Sequence, residues 1–443
     1  MKKFFAKNFG NDVKHTFLNN LFKIITGPLS MILIPLLLTK QMQGYWYSFM
    51  SISALAMLAD LGFTTIVLQF SAHEFAHLSF NERLEFLGDK IHFDRIASLF
   101  RFITKWGNYT VILSFPVIFI IGYYVLNSEK TSFQWILPWI LYLIASGIKF
   151  YLNILLSYYE GCGLIASIQK LKSINIIFTY VLTIGLLILG FHLYALALSM
   201  FISALFFLWQ VYSKFKNSIR QLIRDKIVYY SWRKEVLNLL WRYTISWFSG
   251  YMIFNLFTPL AFKFYGSKFA GQVGITDSLV TAIFSLANVW IYTINPKMNM
   301  LVSRKKWDEL NKLFNKNMLK SIGAYCFFSI SALLVFYLLS IYYPKISNRF
   351  LSLGTIACLL TAWLIQLIIN TIAMYSRAHK EEPYVIPSFV TGIFVAVITF
   401  FITSHFSSNY LYYGFYLSFL FTLPWFYSIY SKRKRVLHSL EFK

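Results

Sequence analysis

YTVILSFPVIFIIGYYVLN (residues 109–127) and QWILPWILYLIASGIKFYLNILLSYY (residues 134–159) decide the fold. The first run carries no charge and the second only Lys149. At a rise of about 1.5 Å per residue, each run as a helix covers roughly 30 Å, the thickness of bilayer hydrocarbon. Strands of a membrane barrel would be about half as long and would alternate strictly. Inside hydrocarbon a backbone must satisfy its own polar groups, so helices are the only consistent reading.

The same test along the chain gives twelve spans, at 17–39, 44–71, 109–127, 134–159, 174–191, 193–213, 241–262, 271–296, 321–342, 350–375, 384–402 and 410–430. The composition agrees: 58% of residues are hydrophobic, 20% aromatic and only 13% charged, which no ordinary soluble globule tolerates. The expected fold is an all-α polytopic membrane protein of about twelve helices. Three scattered cysteines, Cys162, Cys326 and Cys358, give neither a disulfide framework nor a CxxC pair. The basic N-terminus is not followed by a short apolar core with a small-residue cleavage site, so the first apolar segment is expected to be retained.

A formal charge of +24 would suggest nucleic acid in a soluble protein. Here the location of the charge decides. With the N-terminus inside, 32 of the 41 Lys and Arg fall in cytoplasmic segments, six in outside loops, and Lys23, Lys149 and Arg242 within spans. The positive-inside rule then puts both termini in the cytoplasm, and no nucleic acid partner is expected. No GxxxxGK[ST] loop occurs, so the chain carries no ATPase of its own.

Two pairs of segments repeat. FDRIASLF (93–100) aligns with WDELNKLF (307–314) at an offset of 214, and FLNNLFK (17–23) with VLNLLWR (236–242) at 219. Six spans per repeat is an even number, so the halves share one orientation and form two parallel six-helix lobes. The boundaries read as an N-terminal lobe at 1–213, a basic linker at 214–240, a C-terminal lobe at 241–430 and a basic tail at 431–443. Two such bundles with a seam between them are expected to open alternately to either side.

Ionisable groups inside a membrane are costly and mark function. Lys23, Lys149 and Arg242 against Asp60 and Asp277 leave the interior net basic, which suits an anionic cargo. The three cations are candidate substrate-binding groups; Asp60 and Asp277 are candidates for ion pairing or cation coupling. Asp60 could neutralise Lys149 in the empty state or carry a coupling cation. No cofactor and no metal is expected, although His73-Glu74-Phe75-Ala76-His77 matches the HExxH of zinc peptidases in letters. That site also needs a third ligand and an open position, and no HxxGxxH extension follows. A polar helix end at the inner interface is the preferred reading of His73 and Glu74.

The run GPLSMILIPLLLTKQMQGYWYSFMSISALAMLADLGF (27–63) with QFSAHEFAHL (69–78), YEGCGLIASIQKLK (159–172) and AGQVGITDSLVTAIFSLANVWIYTINPKM (270–298) resembles bacterial O-antigen flippases of the Wzx type. These belong to the multidrug/oligosaccharidyl-lipid/polysaccharide exporter superfamily. The resemblance covers most of the chain and is most specific at QGYW, DLGF, EGCG and the stretch from Gln272 to Pro296. It implies a two-lobe MATE-like fold in the bacterial inner membrane that moves undecaprenyl-diphosphate-linked oligosaccharide to the outer leaflet, with Asp60 carried over by motif. Membrane lipids, a polysaccharide polymerase and a chain-length regulator are the implied partners. The alternatives are a cation-coupled multidrug exporter of the same superfamily, a polysaccharide polymerase, which the short outside loops disfavour, and the zinc peptidase.

Overall fold

The computed structural model describes residues 33–379 and 383–439. It is helical almost throughout, with one short β-hairpin among the described residues. Eight described helices are each long and apolar enough to cross a membrane, nine when one bent pair counts as a single span. The helices run in order α1 Lys40–Ser53, α2 Ala56–Asp60, α3 Phe63–Phe75, α4 Lys90–Leu126, α5 Ile136–Gly161, α6 Ile165–Ile188, α7 Leu193–Arg224 and α8 Arg233–Phe254. There follow α9 Phe257–Tyr265, α10 Ser267–Ser303, α11 Trp307–Tyr342, α12 Leu353–Ala378, α13 Val385–His405 and α14 Tyr413–Ser439, with a four-residue turn at Pro344–Ser347 before α12.

Two predicted spans are interrupted. The span expected at 44–71 bends by 45° between α2 and α3. The cause is local: Leu61 (φ 51°) and Gly62 (φ 76°) both adopt left-handed backbone, a conformation glycine takes freely and leucine rarely does. The span expected at 241–262 divides into α8 and α9. Most of the first predicted span, 17–39, lies outside the described residues.

The chain divides into two compact units, residues 1–26 with 49–248 and residues 27–48 with 249–443. The first described helix therefore gives residues 40–48 to the second unit, a partition that a cut at 214–240 does not follow. In the first unit, α5 packs against α3, α4 and α7. Its core joins Phe63, Ile66, Ile96, Leu152, Tyr158, Tyr159, Phe215 and Trp232. Tyr159 and Phe215 stack with ring centroids 4.0 Å apart. Gly161 of EGCG permits the close approach of α3, since a Cβ there would lie 2.1 Å from Ser71 Oγ. Gly163 turns the chain at φ +80°.

The second unit is organised around α10, which packs against α9, α11 and α12. The QGYW motif of α1 meets it. Gln43 is buried and donates from Nε2 to the carbonyls of Gly271 (2.9 Å) and Arg349 (3.1 Å). A Cβ on Gly44 would sit 1.9 Å from the Ser267 carbonyl oxygen, and one on Gly274 would sit 2.2 Å from Tyr47 Cβ. Small residues that let backbones touch are what holds helices together in lipid, where burial of apolar surface supplies no driving force.

The hairpin, Leu78–Phe80 with Phe86–Gly88, follows α3 and was not expected from the sequence. Asn81 makes its turn: Oδ1 accepts from the Arg83 and Glu85 amides, both at 2.9 Å, and Nδ2 donates to Glu85. Gln221 of α7 holds the second strand by accepting from the Phe86 amide (2.7 Å) and donating to its carbonyl (3.0 Å). Arg101 of α4 donates to the carbonyls of Leu222, Ile223 and Asp225, satisfying the open C-terminal end of α7.

Candidate functional site

Lys149 lies on α5, well inside its span and half-buried. Its Nζ donates to Ser203 Oγ at 2.9 Å and lies 3.5 Å from Thr179 Oγ1 and 3.4 Å from Met200 Sδ. No carboxylate among the described residues comes within ion-pair distance of it. Around it α6 and α7 form a polar ladder. Asn175 Nδ2 donates to the Ser203 carbonyl (2.8 Å), and Thr183 Oγ1 donates to Ser199 Oγ (2.7 Å). Asn175, Thr179 and Thr183 recur every four residues, as do Ser199 and Ser203, so each set occupies one stripe of its helix. Hydroxyl groups solvate an ammonium but do not neutralise it. The ladder therefore offers Lys149 hydrogen-bond acceptors and, among the described residues, no counter-charge.

The expected pairing of Lys149 with Asp60 is absent. Asp60 instead turns back on the break in its own span. Oδ1 accepts from the Thr64 amide (3.3 Å) and Oδ2 from the Thr64 hydroxyl (3.0 Å). A carboxylate over the first-turn amides of α3 satisfies open donors and sits at the positive end of the helix. DLGF is thus a kink with its own cap.

Asp277 lies 217 residues beyond Asp60, between the two repeat offsets, yet its helix runs unbroken. Its Oδ1 accepts from Tyr412 Oη at 2.9 Å in the second unit. No cation among the described residues is within ion-pair distance. Arg242 belongs to α8 but its side chain lies outside the described residues, as does Lys23 altogether.

HExxH resolves into an ion-pair cluster. The helix carrying it ends at Phe75, between the two histidines, so the one-turn spacing a zinc site needs is lost. Glu74, 1% exposed, faces His92 Nδ1 at 2.8 Å and Arg95 Nε at 3.0 Å. His77 stacks on His92 with centroids 4.0 Å apart. Arg95 lies over the rings of Tyr230 (4.4 Å) and Trp232 (5.3 Å), and Trp232 Nε1 donates to the Arg95 carbonyl (3.0 Å). Tyr230 in turn donates to Glu235, and that hydrogen bond raises its pKa. Among the described residues no group of three His, Cys, Asp or Glu could hold a metal. The cluster fastens the end of α3, the start of α4 and the segment leading into α8.

The sequence singled out Lys149 and missed the ladder around it. The four-residue spacing of Asn, Thr and Ser in otherwise apolar spans was the available signal.

No protein-family model and no curated protein matches the chain. Solved structures do match across nearly its whole length. A MATE transporter in complex with MaL6 aligns at TM-score 0.56 and 15% identity over 97% of each chain. The outward-facing conformation of a multidrug resistance MATE family transporter of the MOP superfamily aligns at 0.56 and 14%, over 97% of this chain and 96% of the other. A MOP superfamily transporter from Pyrococcus furiosus, described by a binding pocket of reverse polarity that suggests a different function, aligns at 0.54 and 14%, over 98% and 96%. The chain has the fold of MATE transporters and is a multi-pass membrane protein.

Proposed function

We propose that this protein is a flippase that carries undecaprenyl-diphosphate-linked oligosaccharide, an O-antigen type repeat unit, from the cytoplasmic to the outer leaflet by alternating access. One observation carries the reading: the ammonium of Lys149 is set among the hydroxyls of Ser203 and Thr179 and the sulfur of Met200, with no carboxylate among the described residues in reach. A diphosphate or acidic sugar supplies the missing charge, and Lys149 meets it as a point charge with three donors. A cationic drug would be repelled there. The Pyrococcus protein supports this indirectly, because its reverse-polarity pocket is on the same fold. In this reading the chain sits in the bacterial inner membrane with both termini cytoplasmic, as the distribution of Lys and Arg favours.

A second reading, a cation-coupled multidrug exporter, is favoured by Asp277, a carboxylate whose described partner is the neutral Tyr412. Both readings allow Asp277 to take up a coupling cation. They differ in cargo, so the test is where the lipid-linked repeat unit accumulates when the gene is deleted. Build-up on the cytoplasmic leaflet, reversed by the wild-type gene, supports flipping. A normal leaflet distribution with altered dye efflux supports the exporter.

A further inference from the structure

One end of the second unit carries a charge that the Lys149 ladder does not explain. On the topology read from the sequence, six Lys and Arg fall in outside loops, where the positive-inside rule disfavours them. Five of the six belong to this unit: Lys40, Lys263, Lys268, Lys345 and Arg349. The stretches that bear them, 40–48, 263–270 and 343–349, contain no Asp or Glu, and neither does 403–409 between α13 and α14. Tyr265 Oη donates to the Phe406 carbonyl (3.0 Å), which ties two of these stretches together. Four of the five cations flank a single crossing of chains. Lys40 opens α1, and its carbonyl oxygen is 3.3 Å from where a Cβ on Gly271 would be. Lys268 precedes Gly271 by one helical turn, Gln43 bridges Gly271 to Arg349, and Lys345 precedes Arg349 by four residues.

The crossing fixes the backbone of Arg349 and leaves its guanidinium unserved. Gln43 Nε2 donates to the Arg349 carbonyl (3.1 Å), Gln272 Nε2 to the Asn348 carbonyl (3.1 Å), and the Leu351 amide donates to Thr276 Oγ1 (3.2 Å). Helices α1 and α10 thus pin the chain on both sides of the arginine. Its Nη1 is buried without a hydrogen-bond partner among the described residues, and no carboxylate among them is within ion-pair distance. A buried, unmet donor on a charged group costs free energy, and burial lowers the Arg349 pKa accordingly. Gln43 Oε1, also without a partner, can meet a hydrogen bond but not a charge. Asp277, six residues further along α10, is engaged by Tyr412. An anion meets both needs, and an arginine fork with ammonium groups around it suits the several oxygens of a phosphate. Tyr342 and Tyr343, 70% and 62% exposed at the end of α11, are the aromatic residues that mark headgroup depth.

We propose that this crossing is a binding site for the phosphate groups of a lipid headgroup, gripped by Arg349 with Lys40, Lys268 and Lys345 around it. That the lipid is a polyprenyl diphosphate, met in the outer leaflet after translocation, rests on the flippase reading; the uncompensated cations at the crossing do not. Lys149 then serves the headgroup in mid-membrane and Arg349 serves it on arrival.

The test is hydrogen–deuterium exchange of the full chain in phosphatidylcholine nanodiscs, with undecaprenyl diphosphate as the probe. A nanodisc presents lipid to both faces, so occupancy does not depend on translocation. Amides in 343–352 should exchange at least threefold more slowly with the probe present. Arg349→Gln, which removes no side-chain hydrogen bond found among the described residues, should abolish that protection while the protein stays monodisperse, and Arg349→Lys should retain part of it. Lys268→Gln and Lys345→Gln, both at exposed positions, should each raise the probe concentration for half protection at least twofold. Inorganic pyrophosphate should need at least tenfold more than the lipid. No protection in wild type, unchanged protection in Arg349→Gln, or equal protection by pyrophosphate or by phosphatidylglycerol at the same concentration would overturn the site. A reconstituted translocation assay separates the two ideas. Flipping by wild type without protection at 343–352 removes only the site, and protection without flipping removes only the flippase reading.

Discussion

Glu74 offers the sharpest structural prediction, because the same residue would be the general base of a peptidase and is here the buried centre of an ion-pair cluster. Taking one partner from a buried pair costs about 3–5 kcal/mol, since the other charge is left without compensation. The partners left behind are not fully buried: Arg95 is 33% and His92 23% exposed, and Arg95 keeps its aromatic partners Tyr230 and Trp232. Water and the rings therefore recover part of the loss, which brings Glu74→Ala to about 2–3 kcal/mol. Glu74→Gln removes the charge and keeps one acceptor, so about 1–2 kcal/mol is expected. Paired with Arg95→Ala in a double-mutant cycle, Glu74→Ala should show coupling of about 1–2 kcal/mol. Equilibrium unfolding of the full chain in mixed micelles, followed by tryptophan fluorescence, measures all of these. Glu74→Gln and Glu74→Ala both within about 0.5 kcal/mol of wild type would refute the cluster as the fastener of α3, α4 and the approach to α8.

Gly44→Ala should sharply reduce folded protein in fluorescence-detected size exclusion, because its Cβ would meet the backbone oxygen of Ser267 at 1.9 Å, whereas Gly147→Ala, whose nearest neighbour is 3.4 Å away, should behave as wild type. Asp60→Ala should lower stability by about 1–2 kcal/mol in a thermal-shift assay and Asp60→Asn by less, since an amide oxygen can still accept from Thr64. Asp277→Asn keeps an acceptor for Tyr412 and removes the titratable charge; transport that depends on an ion gradient in wild type should lose that dependence while the protein remains folded.

Much of the fold was legible because hydrocarbon imposes long runs almost free of charge, and those at 109–127 and 134–159 match α4 and α5 to within two residues at the ends that face their connecting loop. The breaks were not legible from hydropathy, since Leu61 and Gly62 are as apolar as their neighbours and it is backbone conformation that bends the span. QGYW and the Gly-rich opening of α10 read as separate landmarks in the sequence. Only the structure shows them packed face to face through Gln43, Gly44, Gly271 and Gly274. The hairpin escaped notice because three-residue strands leave too little alternation to recognise. At the candidate site, a lysine in mid-span was visible by its cost. Its partners were not, because Ser, Thr and Asn in a membrane helix are unremarkable until two stripes face each other.

The central claim is that an unneutralised ammonium at Lys149 serves an anionic lipid headgroup. Purified protein in proteoliposomes, supplied with fluorescent polyprenyl-diphosphate oligosaccharide and assayed by accessibility of the sugar to an external quencher, tests it directly. Wild type and Lys149→Arg should translocate the lipid at comparable rates, while Lys149→Met, equally folded, should be at least tenfold slower. Equal rates for Lys149→Met and wild type would contradict the account.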